Sequence, residues 1–250
     1  MTNYETIINL YNNASLYNNE FKNYDDDFTF WEFWIDNYKP KNILEIGIGN
    51  GRLYNLLSPK VKQYDGIEIS ENIIEEFKKK YKLKNGMLYN QDMKNINIPY
   101  TYDLIIIPFN TFSYLYTLDD IKCFFKGIKT ISNTNTIIII DVFNPSIDDI
   151  SNINKFRLCN TFKVKNVDIK VFEKHTYNKK EQVITYYKKY KDNEGEKTLA
   201  LPVRVFYPQE IDSILQMLGF KIIKKYGDYN NEEFCSNSRK QIIFLKGSDH

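Results

Sequence analysis

The sequence predicts an α/β chain built on a doubly wound sheet. Two observations carry that expectation. From residue 42 to about 144, short apolar runs alternate with stretches of helical periodicity, the pattern of parallel strands joined by crossover helices. Two of those runs, LIII (104–107) and TIIIID (136–141), are continuous rather than alternating, as strands covered on both faces require. A third feature, a glycine-rich turn after the first strand, bears on what the sheet carries.

Each element follows from local pattern. Residues 1–38 read as helical: Tyr4, Ile7, Ile8 and Tyr11 recur at helix spacing, and FTFWEFWIDNY is amphipathic behind the acidic cap YDDD. KPKN breaks that helix. NILEIG (42–47) is a buried strand and NGRLYNLLS (50–58) a short helix. VKQYDGIEIS (61–70) is a strand. ENIIEEFKKKY (71–81) is a helix with Ser70 as N-cap and Ile73, Ile74 and Phe77 facing inward. MLYNQD (87–92) and YDLIIIPFN (102–110) are strands, LDDIKCFFKGIKTIS (118–132) is a helix and TIIIIDVFN (136–144) a fifth strand.

The pattern then changes. KFRLCNTFKVKN, VDIKVFEKHTY, EQVITYYKKYKD and KTLALPVRVFY, over about residues 155–206, alternate polar and apolar and are joined by turn signals such as DNEG. They predict an antiparallel layer added to the main sheet. PQEIDSILQMLG is a helix with Gly219 as C-cap, and FKIIKKYG and RKQIIFLKG close the chain as two strands.

Composition narrows the function. The chain has 250 residues, with 34 Lys and Arg against 32 Asp and Glu. A nucleic-acid binder gathers a basic excess on one face, and a net charge of +2 argues against one. KKKYKLK (78–84) reads as the solvated end of a helix. The wealth of Tyr, Phe, Asn, Ile and Lys reads as coding bias. Cys123, Cys159 and Cys235 are odd in number and form no CxxC, which suggests neither a disulfide framework nor a zinc site. MTNYETIINLYNN lacks the features of a signal peptide, and TIIIIDVF is too short to span a bilayer. The expectation is a soluble cytoplasmic protein with no membrane and no nucleic-acid partner.

The glycine turn is ILEIGIGNGR (43–52). Gly47 and Gly49 fit the first two glycines of the dinucleotide fingerprint GxGxxG, but its third position is Arg52, so close helix–strand packing there is lost. The phosphate loop GxxxxGK[ST] is absent. What stands is E-x-G-x-G-x-G: Glu45, Gly47, Gly49, Gly51. A plain strand-to-helix turn carries a glycine or two; three alternating glycines behind a carboxylate are far rarer.

In this the chain resembles class I S-adenosylmethionine-dependent methyltransferases, from about Tyr11 to Leu245. The resemblance implies a Rossmann-like seven-stranded sheet of order 3-2-1-4-5-7-6. It divides the chain into an N-terminal helical lid (1–38), a cofactor-binding core (39–150), an antiparallel insertion (151–206) and a C-terminal completion of the sheet (207–250). It implies S-adenosylmethionine as cofactor and S-adenosylhomocysteine as product. In the family the glycines let the backbone approach the methionyl and ribose parts, and the carboxylate at Glu45 works with the cofactor's amino group, often through water. Glu68 ends the second strand 21 residues after Gly47, where an acid accepts from both ribose hydroxyls, with Ile69 beside it. Asp92 matches the acid that accepts from the adenine amine, and Met93 the residue that offers a backbone N–H and an apolar wall.

Pro108, Phe109 and Asn110 fall beside the first strand at the switch point. Nucleic-acid amine methyltransferases carry [DNS]PP[YFW] there. IPFN departs from it, which argues against base amines, and PFNTFSYL is similar to the small-molecule branch. IIIIDVFNPS and the segments RVFYPQEIDSILQMLGF and YGDYNNEEFCSNSRKQIIF resemble that branch's fifth strand and C-terminus.

Methyl transfer needs positioning and exclusion of water more than acid–base chemistry. An oxygen acid needs a base, and His175 is either that base or a strand-packing histidine. Tyr17, with Tyr11 and Tyr24 as neighbours of the same type, either lies near the sulfonium or the methionyl carboxylate, as the resemblance implies, or packs. Arg52 either pairs the cofactor carboxylate or caps a surface. Ser113, Tyr114, Phe143 and Asn144, with Asn110, are candidates for the acceptor wall; Arg204 and Tyr207 are weaker ones. The antiparallel layer either roofs the acceptor or pairs subunits, leaving a monomer or a homodimer. The expected partner is a small-molecule methyl acceptor. RNA or protein methylation, and a non-catalytic cofactor-binding partner subunit, are the rival readings.

Overall fold

The structure is a computed structural model and describes residues 16, 19–147, 149–164 and 166–247. Tyr4, Ile7, Ile8, Tyr11 and Tyr17 lie outside the described residues. The chain divides into two units, one of residues 25–144 with 206–250, the other of residues up to 24 with 145–205.

The first unit is a seven-stranded sheet. Its strands are β1 (Asn42–Ile46), β2 (Gln63–Glu68), β3 (Leu88–Asn90), β4 (Leu104–Ile107), β5 (Ile137–Phe143), β10 (Phe220–Tyr226) and β11 (Lys240–Gly247), in the order β10-β11-β5-β4-β1-β2-β3. Counted along this sheet alone, that is the expected 3-2-1-4-5-7-6. β1 to β5 run parallel, and β11 pairs antiparallel with both β5 and β10. The winding reverses between β1 and β4, so their carboxyl ends flank the switch point.

Both faces are covered, which is why the Ile runs are continuous. One face carries Ile105, Ile107, Ile138 and Ile140 under α4 (Leu118–Thr130) and α5 (Pro208–Met217), with Phe124, Phe125 and Leu215 packed against them. The other carries Ile43, Leu104, Ile106 and Ile139 under α1 (Phe28–Tyr38), α2 (Arg52–Leu57) and α3 (Glu71–Lys80) through Trp31, Trp34, Leu53 and Phe77. Local chemistry sets the helix ends. Ser70 accepts from the Ile73 N–H to cap α3, Thr117 and Asp120 form a capping box on α4, and α5 ends on Leu218 with left-handed Gly219 following.

α1 departs from the sequence reading in one respect. Asp27 is its N-cap residue, but its side chain makes no cap hydrogen bond. That carboxylate is engaged elsewhere, as described below. Phe28–Tyr38, read from sequence as part of the N-terminal segment, groups with the seven-stranded unit.

The second unit holds β6 (Ile153–Val164), β7 (Val167–Asn178), β8 (Val183–Lys191) and β9 (Glu196–Arg204), all antiparallel. They form the expected antiparallel layer as a sheet of their own. One face buries Ile169, Val171, Tyr190 and Leu199, while Asp168, Lys170, Lys189 and Thr198 beside them are exposed or half-buried. The DNEG signal is a tight turn in which Asp192 Oδ1 accepts from the Glu194 and Gly195 N–H groups.

Candidate active site

The glycine turn leaves β1 at the switch point. Gly47, Gly49 and Gly51 have φ of 77°, 54° and 75°, the left-handed region that L side chains avoid. The three differ in what surrounds them. A Cβ on Gly47 would sit 2.7 Å from Thr111 Cγ2, and one on Gly51 would sit 2.5 Å from the Phe77 ring. At Gly49 the nearest atom would be the Gly47 carbonyl oxygen at 3.8 Å. Gly47 and Gly51 are closed by the protein itself, whereas Gly49 meets no closer side chain among the described residues.

Two buried acids flank the turn. Glu68, at the end of β2, accepts from Ile69 N–H (2.9 Å) and Ser70 N–H (3.0 Å) through Oε1 and from Gly49 N–H (3.1 Å) through Oε2. It therefore ties the strand end to Gly49. Burial pushes its pKa up, and the three backbone donors oppose that. A carboxylate offers about four acceptor positions, so one remains on Oε2 for a ligand hydroxyl. Glu45, inside β1, accepts from the Tyr64 hydroxyl at 2.7 Å. Burial raises its pKa to about 8, against the pull of the Tyr64 hydrogen bond and the Arg52 charge.

Arg52 opens α2, and its guanidinium forms a two-pronged ion pair with Asp27, which also accepts from the Trp31 indole N–H at 3.0 Å. The guanidinium also lies over the Phe28 and Phe109 rings. Arg52 thus joins α1 to the glycine turn, with Asp27 completely buried.

After β3, Asp92 accepts from the Lys94 N–H at 2.9 Å, and Lys94 Nζ stands 3.6 Å from both Asp92 and Asp120. Met93 packs half-buried against the core. After β4, Phe109 and Asn110 are both left-handed, with φ of 52° and 63°. Asn110 Oδ1 accepts from the Phe143 N–H at 2.7 Å, and Asn144 Nδ2 donates to the Ser238 carbonyl. Ser113 is buried, and its hydroxyl has no hydrogen-bond partner among the described residues. Tyr114 is half-buried.

Glu45, the three glycines, Arg52, Glu68, Ile69, Asp92, Met93, Pro108 to Asn110, Ser113, Tyr114, Phe143 and Asn144 all belong to the seven-stranded unit. His175 and Arg204 belong to the four-stranded sheet. His175 is buried in β7 opposite Tyr186, their rings 5.5 Å apart, and Arg204 ends β9 opposite Val183.

Sequence reading missed Asp27, Tyr64 and Asp141. Asp141 is wholly buried in β5 and accepts from the Phe109 N–H, the Tyr229 hydroxyl and Lys240 Nζ. Its signal was available: a lone acid inside the apolar run TIIIIDVF needs buried donors.

A doubly wound sheet with a glycine turn at its switch point and an acid ending the second strand defines a Rossmann-like nucleotide-cofactor domain. Residues 43–134 match the family model described as a methyltransferase domain. That stretch holds the glycine turn, Glu68 and Asp92. A curated relative, the putative methyltransferase YqeM of Bacillus subtilis (strain 168), is 27% identical over 116 residues, 45% of this chain and 47% of the relative. The match thus spans about half of that relative's length. Among solved structures, the CcbJ methyltransferase from Streptomyces caelestis is similar at a TM-score of 0.78, with 16% identity over 90% of each chain. CalS10 from Micromonospora echinaspora, an amino pentose methyltransferase involved in calicheamicin biosynthesis, is similar at 0.72, with 13% identity over 94% of this chain and 95% of its own. At such identities the likeness shows the fold. Among the described residues no helix is long and apolar enough to cross a membrane.

Proposed function

We propose that this protein transfers a methyl group from S-adenosylmethionine to a nitrogen or oxygen atom of a small molecule, an amino sugar or a natural-product intermediate. The observation that carries the reading is the turn at Gly49 between two buried carboxylates, one of which retains an acceptor position. The residues present fit the cofactor. Glu68 accepts from a ribose hydroxyl through Oε2, Asp92 from the adenine amine, and Glu45 balances the amino group, with Ile69 and Met93 beside the base. Arg52, already paired with Asp27, holds the turn and adds positive charge near Glu45. The cofactor supplies an activated sulfonium methyl, so the protein's task is to align the acceptor and exclude water.

Asn110, Ser113, Tyr114, Phe143 and Asn144 line the acceptor in this reading, and the unpartnered Ser113 hydroxyl suits a polar substrate group. A small-molecule acceptor is supported by the departure of IPFN from the base-amine motif and by the acceptor named for CalS10. The test combines calorimetry with S-adenosylhomocysteine and a transfer assay using labelled S-adenosylmethionine against a panel of amino sugars. Binding with transfer to a small amine or hydroxyl is expected. Transfer to RNA alone, abolished by salt, overturns the acceptor class, and binding without turnover on any class of acceptor favours a non-catalytic partner subunit.

A further inference from the structure

Asp141 is the only charged residue of β5, and an apolar residue would pack there at no electrostatic cost. Its contacts show what the charge does. Oδ2 accepts from the Phe109 N–H at 3.0 Å and from the Tyr229 hydroxyl at 2.7 Å, and Oδ1 accepts from Lys240 Nζ at 3.0 Å. Its main-chain oxygen accepts from the Asn110 N–H at 3.0 Å. Two residues on, the Phe143 N–H donates to Asn110 Oδ1 at 2.7 Å. The end of β5 therefore grips both residues of the turn that follows β4.

Those two residues are the consecutive left-handed pair, Phe109 and Asn110, a conformation that side chains other than glycine rarely adopt unless the surroundings impose it. The next residue, Thr111, donates its hydroxyl to the Pro108 carbonyl at 2.8 Å and occupies the space a Cβ on Gly47 would need. A path of direct contacts thus runs from Asp141, through the Phe109–Asn110 turn, to the first glycine of the donor turn. Tyr229 and Lys240 buttress it from the C-terminal segment, 88 and 99 residues along the chain.

We infer that Asp141 is a positioning residue of the donor site, holding the Phe109–Asn110 turn so that Thr111 seats against Gly47. The consequence for cofactor affinity rests on the proposed function; the clamp itself does not. The test measures calorimetric affinity for S-adenosylhomocysteine and the backbone amide resonance of Phe109 without ligand. Four proteins are compared: wild type, Asp141→Ala, Asp141→Asn and Ile139→Val. The last is a buried substitution on the same strand and the same face. A charge-assisted bond to a carboxylate moves the wild-type Phe109 amide proton downfield. Asp141→Ala abolishes that shift and weakens binding by about tenfold. Asp141→Asn keeps an oxygen for the Phe109 N–H and recovers most of the affinity. Ile139→Val lowers the melting temperature and leaves affinity unchanged. An ordinary Phe109 amide in the wild type, wild-type affinity in Asp141→Ala, or a comparable affinity loss in Ile139→Val overturns the inference. If the wild type shows the downfield amide but does not bind the probe, the functional reading falls and the clamp stands. Should Asp141→Ala not fold, Tyr229→Phe, which keeps the Lys240 ion pair, gives the same readings with a several-fold loss.

Discussion

In the seven-stranded unit, Asp27, Glu45, Asp65, Glu68 and Asp141 are all buried to 5% exposure or less, and three of them accept from backbone N–H groups. Glu68 takes three such donors, Asp65 takes the Met87 N–H and Asp141 the Phe109 N–H. In the four-stranded sheet, charge meets charge between side chains: Lys188 with Glu20 and Glu173, and Lys189 with Glu196. A buried acid bonded to the main chain fixes the path of a turn. A side-chain ion pair fixes only the register of a face, and water screens it where it is exposed. One sheet thus fixes its turns through the main chain, and the other sets charges against each other between side chains.

Paired glycine substitutions probe that contrast most strongly. Gly51→Ala forces a side chain into the left-handed region and into the Phe77 ring, and should destabilise the protein by about 3 kcal/mol. Gly195→Ala, in the turn between β8 and β9, meets no atom within 4 Å and should cost about 0.5 kcal/mol or less. Urea unfolding followed by circular dichroism reads both, and equal costs would mean that the glycine turn is no more constrained than a surface hairpin. Next in size, Glu68→Ala should weaken S-adenosylhomocysteine binding by about 1–3 kcal/mol, because a buried ribose hydroxyl loses its acceptor. Glu173→Gln in β7 should leave that affinity unchanged. Calorimetry showing the reverse order would reassign the donor site.

A smaller effect is a pH dependence from Glu45. Its folded pKa of about 8 lies above the ordinary value of 4.5, so between those values the folded protein holds a proton that the unfolded chain has released. The stability this contributes is fully present below pH 4.5 and is lost as pH rises through 8. An ionised Glu45 is the form that balances a cofactor ammonium, so affinity should move the opposite way, rising by at most about tenfold per pH unit up to pH 8. Melting curves of the ligand-free protein and calorimetry across pH 5.5–8.5 check both signs. Affinity that is flat with pH would mean that Glu45 is already ionised in the free protein.

What the sequence made legible follows from the same physics. Strands buried on both faces must be apolar throughout, so LIII and TIIIID announced the parallel sheet, and Ser70 announced its helix because a cap is a local interaction. The glycine turn was legible because φ above zero leaves a compositional mark. The partners of the buried acids were not. Asp27 meets Arg52 25 residues away, and Asp141 meets Tyr229 88 residues away, with no spacing rule linking either pair. The acidic cap YDDD was therefore read for the local bond that Asp27 does not make. The four-stranded sheet was legible as an antiparallel layer, because alternation shows that one face of each strand is buried.

The smallest effect tests the side-chain charges of the four-stranded sheet. Lys188 Nζ lies 2.5 Å from Glu20 Oε1 and 3.8 Å from Glu173 Oε2, with the Tyr190 hydroxyl on the other Glu20 oxygen. Burial and the nearby Glu20 charge raise the Glu173 pKa, and Lys188 opposes that rise. Lys188→Met removes the lysine that lies between Glu20 and Glu173 and leaves the two acids facing each other. The expected cost is about 1 kcal/mol near neutral pH, the scale of a partly screened pair. Protonating either acid relieves the repulsion, so the loss should shrink as pH falls through the raised Glu173 pKa. Thermal melts of wild type and Lys188→Met at pH 5 and pH 7.5 measure the difference. A cost as large as that of Gly51→Ala would show that the four-stranded sheet depends on its charges as much as the glycine turn depends on its backbone.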